Sequence, residues 1–163
     1  MAKAAETKTN VMRVLDQKKI PYTAHTYPHG ADDAVDGVSV ARACGQNPAQ
    51  VFKTLVTRGA SGAYYVFDIP VADNLDLKKA ARAVGEKSVD MIHQKELLPL
   101  TGYVHGGCSP IGMKKQFRTV LHETALDFST IMISAGKIGY QVELDPRALL
   151  KLVRGTAARL VTD

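Results

Sequence analysis

Lys53-Thr-Leu-Val-Thr-Arg-Gly-Ala-Ser-Gly-Ala-Tyr-Tyr-Val-Phe-Asp-Ile69 is the stretch that decides the architecture. Leu55–Arg58 and Ala63–Ile69 are rich in β-branched and aromatic residues, and Gly59-Ala-Ser-Gly62 between them reads as the four-residue loop of a hairpin. Upstream, Asn47-Pro48 is a cap followed by a first-turn proline. Val38, Ala41 and Cys44 suit a short helix that Gly45 ends in a left-handed cap. Tyr22–Tyr27 reads as a strand closed by Pro28, His29 and Gly30, and Asp32, Asp33 and Asp36 fall in a surface loop. Thr9 or Asn10 caps a first helix carrying Val11, Val14 and Leu15, which must stop before Pro21.

Downstream of the hairpin, Leu75–Val84 is an amphipathic helix ended by Gly85, with Lys78, Lys79 and Arg82 on its polar side. A strand end and a short helix share residues 90–98, and strands follow at Phe117–His122, Ile131–Ile133 and Gly139–Leu144. In the last of these Tyr140, Val142 and Leu144 alternate with Gln141 and Glu143, the pattern of a half-buried strand. Asp145-Pro146 opens a closing helix that runs through Val153. Strands and short helices mix without the regular alternation of a doubly wound sheet, which predicts an α+β fold with a curved mixed sheet or partial barrel. No repeat or linker divides residues 1–163, so one domain is expected.

The chain has 163 residues, 45% hydrophobic and 23% charged, the balance of a globular protein and not of a disordered one. Its formal charge of +5 favours polyanionic partners, although a surface kept soluble by Lys and Arg has the same signature. Cys44 and Cys108 form no CxxC pair, which excludes a zinc knuckle or a disulfide framework and fits a reducing cytoplasm. No stretch approaches the roughly 20 apolar residues of a membrane helix. A cytoplasmic protein without membrane association is expected.

Most catalytic signatures are missing. Gly107-Cys-Ser-Pro-Ile111 has no closing glycine for a nucleophile elbow, and Gly136-Lys137 lacks the upstream glycine of a phosphate-binding loop. Pro28 prevents His25 and His29 from sharing a helical face, so no metal site is expected, and His93, His105 and His122 read as surface or hydrogen-bonded core residues. Three features remain. Gly102-Tyr-Val-His-Gly-Gly-Cys-Ser-Pro-Ile-Gly112, followed by Met113-Lys-Lys115, and Ser134-Ala-Gly-Lys-Ile-Gly139 are loops whose glycines allow N–H groups to be aimed at a carbonyl or phosphate oxygen; tight turns are the plain alternative. Lys53, between Val51-Phe52 and Leu55-Val56, either snorkels to solvent or projects into a cleft.

On these segments the chain resembles the YbaK/EbsC family of Cys-tRNA(Pro) and Cys-tRNA(Cys) deacylases, relatives of the editing domain of bacterial prolyl-tRNA synthetase. Asn47-Pro-Ala-Gln-Val-Phe-Lys-Thr54 resembles the segment with the family's essential lysine. Gly106 and Pro110 match its GxxxP spacing, and Ile133-Ser-Ala-Gly-Lys-Ile-Gly139 resembles its Ser-x-Gly-Lys loop. His25-Thr-Tyr27 and Leu75-Asp-Leu-Lys-Lys79 also fit, while Ala135 and Gln141 depart from a common glycine and acidic residue.

The resemblance implies a six-stranded, barrel-like mixed sheet. It implies Lys53 as the catalytic or anchoring residue, and Tyr27, Thr54, Gly106, Gly107, Pro110, Ser134 and Gly136 around the substrate. Lys78, Lys79, Lys114, Lys115 and Lys137 are the candidate tRNA contacts. The implied partners are aminoacyl-tRNA and prolyl-tRNA synthetase, with no cofactor and no metal. The implied reaction is substrate-assisted: the cysteinyl thiol attacks its own ester and leaves as a thiolactone. The rivals are an Ala-tRNA(Pro) deacylase that activates water and a non-catalytic tRNA- or synthetase-binding module.

Overall fold

The computed structural model describes residues 8–27 and 37–163; Pro28–Gly30 and the Asp32, Asp33 and Asp36 loop lie outside the described residues. Thr9 caps helix α1 (Asn10–Gln17) by accepting the Met12 N–H at 3.2 Å, and Val11, Met12 and Leu15 form its buried stripe. Helix α2 spans Gly37–Ala43. Asn47 caps a single 3-10 turn at Pro48–Gln50, so the second start expected there is shorter than an α-helix. Helix α3 (Leu77–Val84) opens on Asp76 and closes on left-handed Gly85. Helices α4 (Gln94–Thr101) and α5 (Pro146–Val153) complete the set, the latter capped by Asp145 with proline in its first turn.

The strands are β1 (Thr23–Thr26), β2 (Phe52–Gly59), β3 (Tyr64–Pro70), β4 (Val89–Met91), β5 (Arg118–His122), β6 (Ile131–Ser134), β7 (Tyr140–Leu144) and β8 (Thr156–Ala158). They form one sheet ordered β4-β2-β3-β5-β8 and a second ordered β1-β7-β6. The β2–β3 hairpin is antiparallel and the β3–β5 and β5–β8 pairs are parallel, so the larger sheet is mixed. The two sheets meet where Val51 bridges Met132 in parallel. The α+β class is as expected, with the strands dealt between two sheets and not closed into a barrel. Strand β8 was not foreseen.

Alternation along β2 and β3 divides the interior. Phe52, Val56 and Val66 face one core with Val11 and Leu15 of α1 and with Tyr103, Cys108 and Ile111 of the first glycine loop. Leu55, Phe67 and Ile69 face the other core, under Ala80, Ala81 and Val84 of α3. Ala41 of α2 closes a third cluster with Val51, Val71 and Met132. Each fully buried large side chain contributes about 2 kcal/mol. His122 is a hydrogen-bonded core residue, its Nδ1 accepting the Leu160 N–H at 3.1 Å. Among the described residues no helix is long and apolar enough to cross a membrane.

One reading of β7 is corrected. Alternation placed Gln141 outward with Glu143, yet Gln141 is buried in the wall of a cavity, while Glu143 and His25 of β1 on the same face stay half-buried.

Candidate active site

The register of β2 creates the site. Gly59 N–H donates to Ala63 O at 2.7 Å and Val71 N–H donates to Val51 O at 2.9 Å. Backbone groups alternate between the two edges of a strand, so the odd-numbered residues from 51 to 59 face β3 and the even-numbered ones face the opposite edge. On that edge Val51 is bridged to Met132 of β6, and farther along Ile92 N–H reaches Val56 O at 3.3 Å. Between the two pairings the edge opens over Thr54. There lies a cavity of about 290 Å³ whose lining includes Phe52, Lys53, Thr54 and Leu55. Lys53 and Leu55 approach it from one side of the sheet and Thr54 from the other, as the period of two requires.

Both glycine loops reach this cavity. Gly106, His105 and Cys108 come from the first, Ser134 from the start of the second, Tyr27 from just after β1 and Gln141 from β7. A Cβ on Gly107 would stand 3.0 Å from Ile138 N and 3.2 Å from Lys137 C, so here the two loops touch backbone to backbone. Gly136, at φ 89°, lies against the ring of Tyr103. The Tyr103 hydroxyl donates to Ile111 O at 2.6 Å and receives the Asn10 amide at 3.3 Å, so one ring struts both loops against α1.

Of the residues expected around the substrate, Lys53, Tyr27, Thr54, Gly106 and Ser134 line the cavity. Gly107, Pro110 and Gly136 are not among the lining residues. The five candidate tRNA lysines are outside it. Lys137 lies 5.2 Å over the Tyr140 ring, and Lys114 donates to Pro99 O at 3.4 Å. Lys79 is drawn to the C-terminal segment, donating to Val161 O at 2.8 Å and Asp163 Oδ1 at 2.9 Å. Lys78 lines a separate shallow groove with Arg82 and Lys87.

Sequence reasoning passed over His105, Cys108, Gln141 and Asp68. Asp68 sits on β3 opposite Thr54, fully buried, with Oδ1 accepting the Thr54 hydroxyl at 2.5 Å and Oδ2 without a partner among the described residues. Its signal was an acid inside the apolar run Tyr64–Ile69. The Gln141 Oε1 is likewise buried at the cavity wall and has no partner among the described residues.

Burial governs the electrostatics. It pushes Asp68 up to about 7, the Thr54 hydrogen bond pulling the other way. It pushes the Cys108 thiol up to about 12, with the nearby Asp68 charge adding to the effect and Thr101 opposing it. It lowers Lys53 from the usual ammonium value, partly offset by Asp73. A thiol held protonated is inert, so Cys108 is no nucleophile. Among the described residues no group of three or more His, Cys, Asp or Glu is placed to hold a metal ion.

Among the described residues the cavity is small, largely apolar and lined by one lysine and backbone turns; residues 32–152 match the aminoacyl-tRNA editing domain family, and the chain belongs to it. Across 160 residues it is 47% identical to EbsC of Enterococcus faecalis, provisionally named a Cys-tRNA(Pro)/Cys-tRNA(Cys) deacylase, with 98% of this chain and 97% of the relative covered. A solved structure provisionally described as a trans-editing enzyme for prolyl tRNA synthetase superimposes with TM-score 0.81 at 25% identity, over 100% of this chain and 99% of the other. The protein APE2540 superimposes with TM-score 0.83 at 19% identity over 94% and 99%, and shares the fold.

Proposed function

We propose that this chain removes cysteine from mischarged Cys-tRNA(Pro), and from Cys-tRNA(Cys), by letting the cysteinyl thiol attack its own ester. One observation carries the reading. The cavity brings Lys53, Thr54 and both glycine loops together, while the thiol that the protein itself contributes there, Cys108, is buried and hydrogen-bonded to Thr101 and not to a base. The nucleophile then arrives with the substrate.

A thiol with a pKa near 8.5, tethered beside the ester carbonyl, is a strong intramolecular nucleophile that needs only the reactive conformer and a stabilised oxyanion. The Thr54 N–H, at the open edge of β2, and N–H groups of the glycine turns are the donors for that oxyanion, each worth on the order of 3 kcal/mol. Lys53 holds the ester end by charge. A cavity of about 290 Å³ lies at the small end of the ~300–1,000 Å³ range for ligand sites, which suits a small aminoacyl group. A seryl ester fits equally well but carries a far weaker nucleophile, so discrimination is chemical. Prolyl-tRNA synthetase is the proposed partner, since it is the enzyme whose mischarged product must be intercepted; co-elution with it and tRNA tests that part.

The test is a deacylation panel of Cys-tRNA(Pro), Ser-tRNA and Ala-tRNA(Pro). Loss of cysteine alone is the expected result. Equal decay of the cysteinyl and seryl esters defeats the thiol mechanism, and decay of the alanyl ester alone assigns the water-dependent reaction instead. Lys53→Ala should slow cysteine release by about a hundredfold or more without lowering Tm.

A further inference from the structure

We infer that Asp68, acting through the Thr54 hydroxyl, is the proton acceptor that activates the thiol of the bound cysteinyl ester. The inference rests on the deacylase reading above and adds a residue that the family resemblance does not supply.

A carboxyl with no exposed surface is strongly unfavourable unless something compensates it. Asp68 has no exposed surface, and its side chain lies among Val66, Cys108 and Leu121 on one face of the larger sheet. The neighbours on its own strand, Phe67 and Ile69, face away into the other core. A valine would fill such a position at less cost, so the carboxyl calls for a use.

Its hydrogen bond defines that use. The Thr54 hydroxyl spends its proton on Asp68 Oδ1 at 2.5 Å, and Thr54 lines the cavity. A hydroxyl has one proton and two lone pairs, so with the proton directed at Asp68 it can only accept from the cavity side. A thiol is a donor that such an acceptor can meet. The charged and titratable groups around Asp68 are few. Cys108 faces it from the first glycine loop, Lys53 lies on the other face of β2, and β5 presents apolar Leu121. Burial holds the carboxyl in the range where it can both take and return a proton near neutral pH, which supports the assignment.

The step balances. The cysteinyl S–H proton passes to Thr54 Oγ1 as the Thr54 hydroxyl proton passes to Asp68. The freed sulfur electron pair forms the S–C bond to the ester carbonyl, and the bond from that carbon to the ribose oxygen breaks. The proton on Asp68 returns along the same path to the departing ribose oxygen. The products are a thiolactone and a tRNA with its hydroxyl restored, with nothing oxidised or reduced. Asp68 does not touch the substrate, so it is a positioning and proton-holding residue, whereas Thr54 is the catalytic contact.

The experiment measures single-turnover release of cysteine from Cys-tRNA(Pro) between pH 5.5 and 9. The wild-type rate should rise with a midpoint near 7 and then level off. Asp68→Asn, of the same size and uncharged, should lose about a hundredfold at pH 7, and its profile should follow the thiol's own ionisation near 8.5. Thr54→Val should show the same displaced profile, and Thr54→Ser should recover most of the rate. The displaced pH profile and its rescue by Thr54→Ser are readouts that a merely structural defect would not produce. A wild-type rate and profile in Asp68→Asn overturns the inference. Should that variant fail to fold, an undisplaced profile in Thr54→Val overturns it equally. A wild-type protein that leaves Cys-tRNA(Pro) intact overturns the deacylase reading, and the inference with it.

Discussion

The two glycine loops that frame the cavity are held by the same two kinds of hydrogen bond in different proportions. In the 102–112 loop, side chains hold the backbone: Thr101 Oγ1 accepts the Tyr103 N–H at 3.0 Å, Ser109 Oγ accepts the Ile111 N–H at 3.3 Å, and Asn10 donates to Gly112 O at 3.1 Å. In the 134–139 loop, backbone mostly holds backbone: Ala135 N–H reaches Tyr140 O at 3.0 Å, Tyr140 N–H reaches Lys137 O at 3.1 Å, and Tyr27 N–H reaches Gly139 O at 3.0 Å, with one side-chain bond from Gly136 N–H to Ser134 Oγ at 3.1 Å. The second loop therefore inherits its shape from the β6–β7 register and has few side chains to lose. The first depends on a handful of polar side chains and can be loosened one contact at a time.

The largest effect should come from the second loop's dependence on glycine. In Gly136→Ala the new Cβ would stand 2.9 Å from Tyr103 Cε1 and 3.1 Å from Val11 Cγ2, at a φ of 89° that alanine avoids. A loss of about 3 kcal/mol in denaturant unfolding is expected from strain and overpacking together. A loss below about 1 kcal/mol would mean that this hairpin yields more than its backbone bonding suggests.

Next comes a pH effect beneath the first loop, where Cys108 lies near Asp68. The folded-state pKa of Asp68 is raised from 3.8 to about 7. The folded protein therefore holds this proton more tightly than the unfolded chain, and stability falls as pH rises from about 4 to about 7, then levels. Asp68→Asn should remove that fall, gaining on the order of 4 kcal/mol over wild type at pH 8 relative to pH 4. Parallel unfolding curves at the two pH values check it; an equal difference for both proteins at each pH would refute it.

Tyr103→Phe should cost about 1–2 kcal/mol, because it leaves the Ile111 carbonyl without its donor. Amide exchange should quicken in residues 102–112 more than in 134–139; the reverse order would contradict the contrast drawn between the loops. Smallest of all, replacing the exposed Lys114 and Lys115 with glutamine should leave stability within about 0.5 kcal/mol. It should also flatten the salt dependence of tRNA binding by up to about two counterions. An unchanged slope would make both lysines a merely solvated face.

Much of this molecule was legible because its signals are local. The Gly59–Gly62 turn, the Thr9 and Asp145 caps and the left-handed closures at Gly45 and Gly85 act within a few residues, and each is where the sequence pattern places it. Strand β8 was not legible, since Thr156-Ala-Ala158 is short, lacks alternation and becomes a strand only by lying parallel to β5. Gln141 misled for a related reason: alternation tells which residues share a face, and says nothing about whether a second layer covers it. Lys53 and the two turns were readable as chemistry. Asp68 was not, because an acid in an apolar strand has no meaning until its cross-strand neighbour is known to be Thr54.

The opening in β2 over Thr54 has a consequence for how the chain can change in length. Shifting β2 by one position would carry Lys53 to the side where Asp68 lies and turn Thr54 outward, so an ammonium would meet the carboxylate and each would quench the other. The short turn Pro48–Gln50 immediately before β2 sets that phase. A single inserted residue there, harmless in most surface connections, would have to be absorbed before Phe52 or would extinguish the chemistry without disturbing any residue that performs it.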